Sequence, residues 1–197
     1  MQELKFSIRE VRHGWFVCSF ADTEVWASNC LWASNCCGHD GPRQLLKLLA
    51  ELVSGEREGG FAVFEEEPGT YILSIQRDSL ELWYTGRNLL DWYPMSVGDR
   101  AVLSELPRQL KLEERMLRVG ELDLYSFACA VGDAFSSYLP TAMRSDYAEN
   151  WMPFPLEELI ELRRALGDYS DRSLKMIDRK GNLSYSKVSK RNLGGTL

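Results

Sequence analysis

Two stretches of this chain place apolar residues at every second position, and one leucine-rich stripe of helical period lies between them. In the first stretch Leu4, Phe6 and Ile8 alternate with Lys5, Ser7 and Arg9, the period of a strand with one face buried. Arg12-His13-Gly14 interrupts it, Trp15 to Phe20 is a dense aromatic and β-branched run, and Thr23 to Ala27 reads as a third strand, so a meander is expected. In the second stretch Phe61 to Phe64, then Tyr71, Leu73 and Ile75, then Leu80, Leu82 and Tyr84 predict another antiparallel meander. Glu67-Pro68-Gly69-Thr70 carries proline and glycine at the two central positions of a type II turn, and Arg77-Asp78-Ser79 reverses the chain again. Between the meanders Asp40 is placed to cap a helix, Pro42 suits its first turn and Gly55 its end, with Leu45, Leu46, Leu48, Leu49, Leu52 and Val53 as the apolar stripe.

The C-terminal part predicts one more strand from Arg115 to Leu122 and two more helices. Asp123 is placed to cap a helix from Leu124 to Leu139, closed by Pro140, with Phe127, Cys129, Ala130, Val131, Ala134, Phe135 and Tyr138 on its packed face. Pro155 suits the first turn of a helix carrying Leu156, Leu159, Ile160 and Leu166 and ending near Gly167. Residues 86–112 show no clear period. The pattern predicts an α+β fold: one antiparallel sheet of about five to seven strands with three helices packed on it. Residues 1–167 are expected to form a single domain. After Gly167 the apolar period vanishes, and residues 168–197 are expected to be a flexible basic tail.

Trp26-Ala27-Ser28-Asn29-Cys30-Leu31 is followed by the near copy Trp32-Ala33-Ser34-Asn35-Cys36-Cys37. An insertion of even length keeps every side chain of a strand on its own face. In a helix it would displace the face by about 240°, so the duplication is expected at a strand end or loop.

Charge is distributed unevenly. Residues 1–167 hold 16 Lys+Arg against 26 Asp+Glu, and residues 168–197 hold 7 against 3. An acidic body disfavours nucleic acid and anionic membranes and suits a basic protein partner, which leaves nucleic-acid contact to the tail. The opening MQELKFSIRE has no charged-then-apolar leader pattern, and no run of about 18 apolar residues exists. With an odd number of cysteines, five, this predicts a cytoplasmic protein with free thiols.

Few residues present themselves for chemistry. Cys30, Cys36, Cys37, His39 and Asp40 lie close in sequence, but their spacing matches no common zinc site. A small enzyme or metal site using Cys36, Cys37 and His39 is the alternative reading; His13 is the remaining histidine. Glu65-Glu66-Glu67 reads as a solvated acidic turn able to meet a basic partner. Trp83, Tyr84, Trp92, Tyr93, Trp151 and Phe154 form an aromatic set, divided between core, partner surface and a small-ligand pocket. The glycine-rich and nucleophile motifs of common nucleotide-binding and hydrolytic enzymes are not present. No cofactor or metal is expected.

Four segments carry a resemblance: Val11-Arg12-His13-Gly14-Trp15-Phe16; Asp40-Gly41-Pro42 leading into Leu45 to Leu49; Phe64-Glu65-Glu66-Glu67-Pro68-Gly69-Thr70-Tyr71; and Phe154-Pro155-Leu156-Glu157-Glu158-Leu159. Over roughly residues 4–166 the chain resembles short uncharacterised bacterial α+β proteins, similar in style to immunity proteins that neutralise toxins. The duplication and the 86–112 insert depart from that pattern. The resemblance implies a fold and a binding role, with no activity to transfer. The expectation is therefore a non-enzymatic protein-binding module, immunity or regulatory in kind, with Glu65, Glu66, Glu67, Trp92, Tyr93 and Trp151 as the contact residues.

Overall fold

Both meanders form where the alternation places them. The computed structural model of the protein describes residues 3–12, 15–28, 40–66, 69–86, 112, 114–142 and 153–167, with the side chains of 140–142 excepted. Strands β1 (Phe6–Arg12), β2 (Trp15–Phe20) and β3 (Thr23–Ser28) make an antiparallel three-stranded sheet in sequence order. Strands β4 (Gly59–Glu65), β5 (Thr70–Gln76), β6 (Leu80–Thr85) and β7 (Glu114–Val119) make a four-stranded antiparallel sheet, also in sequence order. The helices are α1 (Gly41–Ser54), α2 (Leu124–Ala142) and α3 (Leu156–Ala165). The fold class is α+β.

The strands divide into two sheets, which corrects the expectation of one. The cause lies in α1, which follows β3 and runs against β4, the first strand of the second sheet. Gln44 Oε1 accepts the Val63 N–H at 2.9 Å, so a side chain takes up a backbone group on the outer edge of β4. Gly41 sits directly on Phe64 and on the Val63 carbonyl. With α1 against that edge, β3 and β4 approach without pairing.

The inner faces of both sheets and all three helices close over one hydrophobic core that runs from Leu4 to Leu166. Phenylalanine rings join the layers. Phe20 meets Phe64 of the other sheet edge-on at 6.3 Å. Phe6 and Phe16 stack on Phe135 of α2 at 6.1 and 6.2 Å, and Phe154, just before α3, packs on the same ring at 6.2 Å. Geometries of this kind add about 0.5–1.5 kcal/mol per pair beyond area burial. The buried residues of α1 include Leu45, Leu46, Leu48, Leu49 and Leu52, the stripe read from sequence.

Helix ends follow the capping residues with one correction. The Asp40 carboxylate accepts the Arg43 N–H at 3.1 Å, Gly55 closes α1 at φ 80°, and Asp123 Oδ1 accepts the Ser126 N–H at 3.0 Å at the start of α2. Pro140 does not end α2, which continues to Ala142. A proline so near the C-terminal end forfeits one backbone bond without disrupting a following turn.

Two arginines fasten the helices together. Arg43 of α1 donates to Asp40 at 2.9 Å, to Glu158 of α3 at 2.5 Å and to the Pro153 carbonyl at 3.2 Å. Arg163 of α3 is buried and donates to Asp133 and Ser136 of α2 at 2.6 and 2.9 Å. Burial raises the Asp40 carboxyl above its ordinary value, outweighing its hydrogen bonds from Arg43. The folded protein therefore holds this proton more tightly than the unfolded chain. That contribution favours folding below 3.8, the ordinary value, and is lost as pH rises through the raised folded value. Asp40→Asn keeps the capping oxygen and has no charge to desolvate. Its stability relative to the parent is expected to improve as pH rises from roughly 3 to 6. Urea unfolding across that range checks this, and a difference that does not change with pH would reject burial as the dominant effect.

Candidate functional site

Strand β1 is the outer strand of its sheet, and among the described residues no strand pairs with its far edge. The Ala21 N–H donates to the Lys5 carbonyl at 2.8 Å, so the peptide groups of Lys5 face β2. Antiparallel alternation then turns those of Ser7 toward Ser19 on β2, its register partner, and those of Phe6 and Ile8 outward. The Ser7 and Ser19 hydroxyls meet at 2.8 Å and hold the two strands together at this point.

A groove of about 670 Å³ runs along this edge. Its far wall is α2, which presents Ala130, Asp133, Ala134, Ser137 and Tyr138, the i, i+3, i+4, i+7, i+8 positions of one helical face. Small side chains at Ala130 and Ala134 leave the space. The aromatic side chains of the same helix, Phe127 and Phe135, are buried and anchor it to the core. Sequence reading assigned Ala130, Ala134 and Tyr138 to the packed face; Ala134 and Tyr138 do pack against the core, and all three are half-buried and also line the groove. The missed signal is the small size of Ala130 and Ala134 on the side of α2 beside the aromatic stripe.

The rim carries charge. Glu3 and Asp22 line the groove, together with Lys5 and Arg9 of the β1 segment. Among the described residues none of these four is in an ion pair, whereas Arg12 pairs with Glu10 at 2.5 Å and Asp133 with Arg163 at 2.6 Å. A bulge between Ile8 and Glu10 leaves Arg9 as the extra residue, and an extra residue of this kind re-aims its side chain. Burial, with the nearby Glu10 charge, pushes the Tyr138 phenol up, so it stays protonated and able to donate.

The residues singled out in the sequence do not converge on this groove. Glu65 is 2 % exposed and stands opposite Thr70 in the β4–β5 register, itself opposite Thr85. These three form a buried polar row, so Glu65 belongs to the interior and not to a solvated turn. Glu66 is half-buried. Its N–H donates to the Gly69 carbonyl at 2.7 Å, and its carboxylate adds to burial in raising the Tyr71 phenol. Glu67 and Pro68, hence the turn type, lie outside the described residues, as do Trp92, Tyr93 and Trp151. So do Cys30, Cys36, Cys37, His39, His13, most of the duplication, residues 87–111 and the tail.

The described members of the aromatic set take separate positions. Phe154 is half-buried and packs against the core, and Tyr84 lies against Tyr71 at 4.9 Å. Trp83 is on the outer face of the second sheet, where its Nε1–H donates to Glu81 at 3.1 Å and the Arg115 guanidinium lies 5.4 Å from its ring. Arg115 and Arg118 both pair with Glu81, at 3.3 and 3.5 Å, so the charges of that patch are satisfied among themselves.

Of the described cysteines, Cys18 is a free thiol. Cys18 is fully buried, which raises its thiol far above the ordinary value and leaves it without thiolate character. Among the described residues no group of three or more His, Cys, Asp or Glu side chains is arranged to hold a metal ion, and no helix is long and apolar enough to cross a membrane. No protein-family model, curated protein or solved structure matches the chain.

Proposed function

We propose that the protein is a non-enzymatic protein-binding module, and that the groove between β1 and α2 is its contact site. The observation that carries this reading is the edge of β1, which no strand pairs among the described residues, bordered by charges that are in no ion pair among those residues and faced by a wall of small side chains on α2. Exposed strand edges are usually blunted or covered; here the edge opens onto a shaped cavity. The acidic balance of residues 1–167 supports a basic partner, drawn in by long-range attraction and weakened by salt. The resemblance to immunity proteins supports a toxin-neutralising or regulatory role.

The test is affinity purification of the full chain from its own host at low and high salt, then reconstitution with the purified partner. Ala134→Arg fills the groove with a residue of good helix propensity and is expected to weaken binding at least about tenfold, or ~1.4 kcal/mol, with thermal unfolding followed alongside to separate lost binding from lost stability. A partner bound equally well by Ala134→Arg places the contact on another surface. A chain that emerges without a partner at low salt counts against the reading as a whole.

A further inference from the structure

We infer that the groove takes an extended segment of the partner protein, added to β1 as a fourth strand of the first sheet. This rests on the protein-binding reading of the same groove. The outward peptide groups of Phe6 and Ile8 offer the hydrogen bonds of a ladder. Ala130 and Ala134 on the facing wall leave room for the alternate side chains of an added strand to point toward α2. The bulge at Arg9 stops regular pairing at that end, so the edge templates one short segment instead of an indefinite sheet.

Charge defines the occupant. Glu3, just before β1, begins the lined run and Arg9 of β1 ends it, with the exposed Lys5 between them and none of the three in an ion pair among the described residues. Six residue steps of extended chain separate them, roughly 20 Å. Opposite charges that far apart along one edge fit a linear peptide better than a compact small molecule. The complementary segment carries Lys or Arg beside Glu3 and Asp22, Asp or Glu beside Arg9, and small apolar residues between, past which the exposed Lys5 side chain stays in solvent. The two charges stand about five to seven residues apart in the segment.

The test uses the full chain and end-blocked ten-residue peptides of this design, with charge-reversed and scrambled versions, and reads amide hydrogen exchange. Saturating peptide is expected to slow exchange at the Phe6 and Ile8 amides at least tenfold and to leave the Ser7 amide, already turned toward β2, unchanged. Arg9→Glu is expected to exchange the preference for an acidic end into one for a basic end, which loss of stability alone does not do. Ala134→Arg is expected to abolish binding. Unprotected Phe6 and Ile8 amides in a saturated partner complex overturn strand addition while protein binding survives. Failure of every peptide to bind below about 1 mM overturns it too. So does protection of those amides in the chain alone: independence of concentration then identifies residues 168–197 or another segment of the chain as occupant, and dependence a second copy.

Discussion

Gly41→Ala lowers the stability of the protein by about 2–3 kcal/mol, the range of an overpacked site. An alanine Cβ there would lie 2.5 Å from Phe64 Cδ1 and 2.7 Å from the Val63 carbonyl oxygen. Neither neighbour yields easily. The Phe64 ring is fully buried and packed edge-on to Phe20. The Val63 oxygen belongs to the backbone of β4, which is held to α1 through Gln44. The better helix propensity of alanine, at most about 1 kcal/mol, is smaller than the clash. A fall in Tm of roughly 5–10 °C is expected for a chain of this size. Gly60 is a control, because its added Cβ would meet the flexible end of Leu48; Gly60→Ala is expected to cost about 1 kcal/mol. Urea unfolding followed by tryptophan fluorescence distinguishes them, and a Gly41→Ala protein as stable as the parent contradicts the close seating of α1 on β4.

The second large effect belongs to Arg43→Met. The substitution keeps the aliphatic stem and removes the cation that joins Asp40 of the α1 cap to Glu158 of α3. Both carboxylates are largely buried, at 13 % and 14 % side-chain exposure, and removing their shared partner leaves uncompensated charge in a poorly solvated place. Loss of a fully buried partner costs about 3–5 kcal/mol. The Arg43 side chain is 36 % exposed, so about 2–3 kcal/mol is expected after solvent screening. Adding Glu158→Gln to Arg43→Met is expected to recover a substantial part, since the orphaned charge goes with its partner. A double-mutant cycle between the two positions measures this coupling, and strictly additive losses would show that the pair contributes nothing to joining α1 and α3.

Local structure was legible because its causes are local. The alternation of Leu4, Phe6 and Ile8, the leucine stripe from Leu45 to Leu52 and the caps at Asp40 and Gly55 act within a few residues. Each appears in the structure as read. Strand β5 was half legible: Tyr71, Leu73 and Ile75 face the core as expected. Thr70 and Ile72 on its other face are also buried, and the near-continuous apolar run from Tyr71 to Ile75 was the signal of a strand covered on both sides. The groove was not legible, since its walls come from residues more than a hundred positions apart.

By itself the sequence determined which segments become strands and helices, where helices are capped, and which side chains seek the interior, because periodicity and capping are short-range properties of the chain. Tertiary structure alone decided that α1 divides the strands into two sheets, that Glu65 is drawn inside, and that the edge of β1 opens onto α2. Those outcomes depend on which surfaces meet, and edge coverage and burial are settled only when distant segments compete for the same contacts.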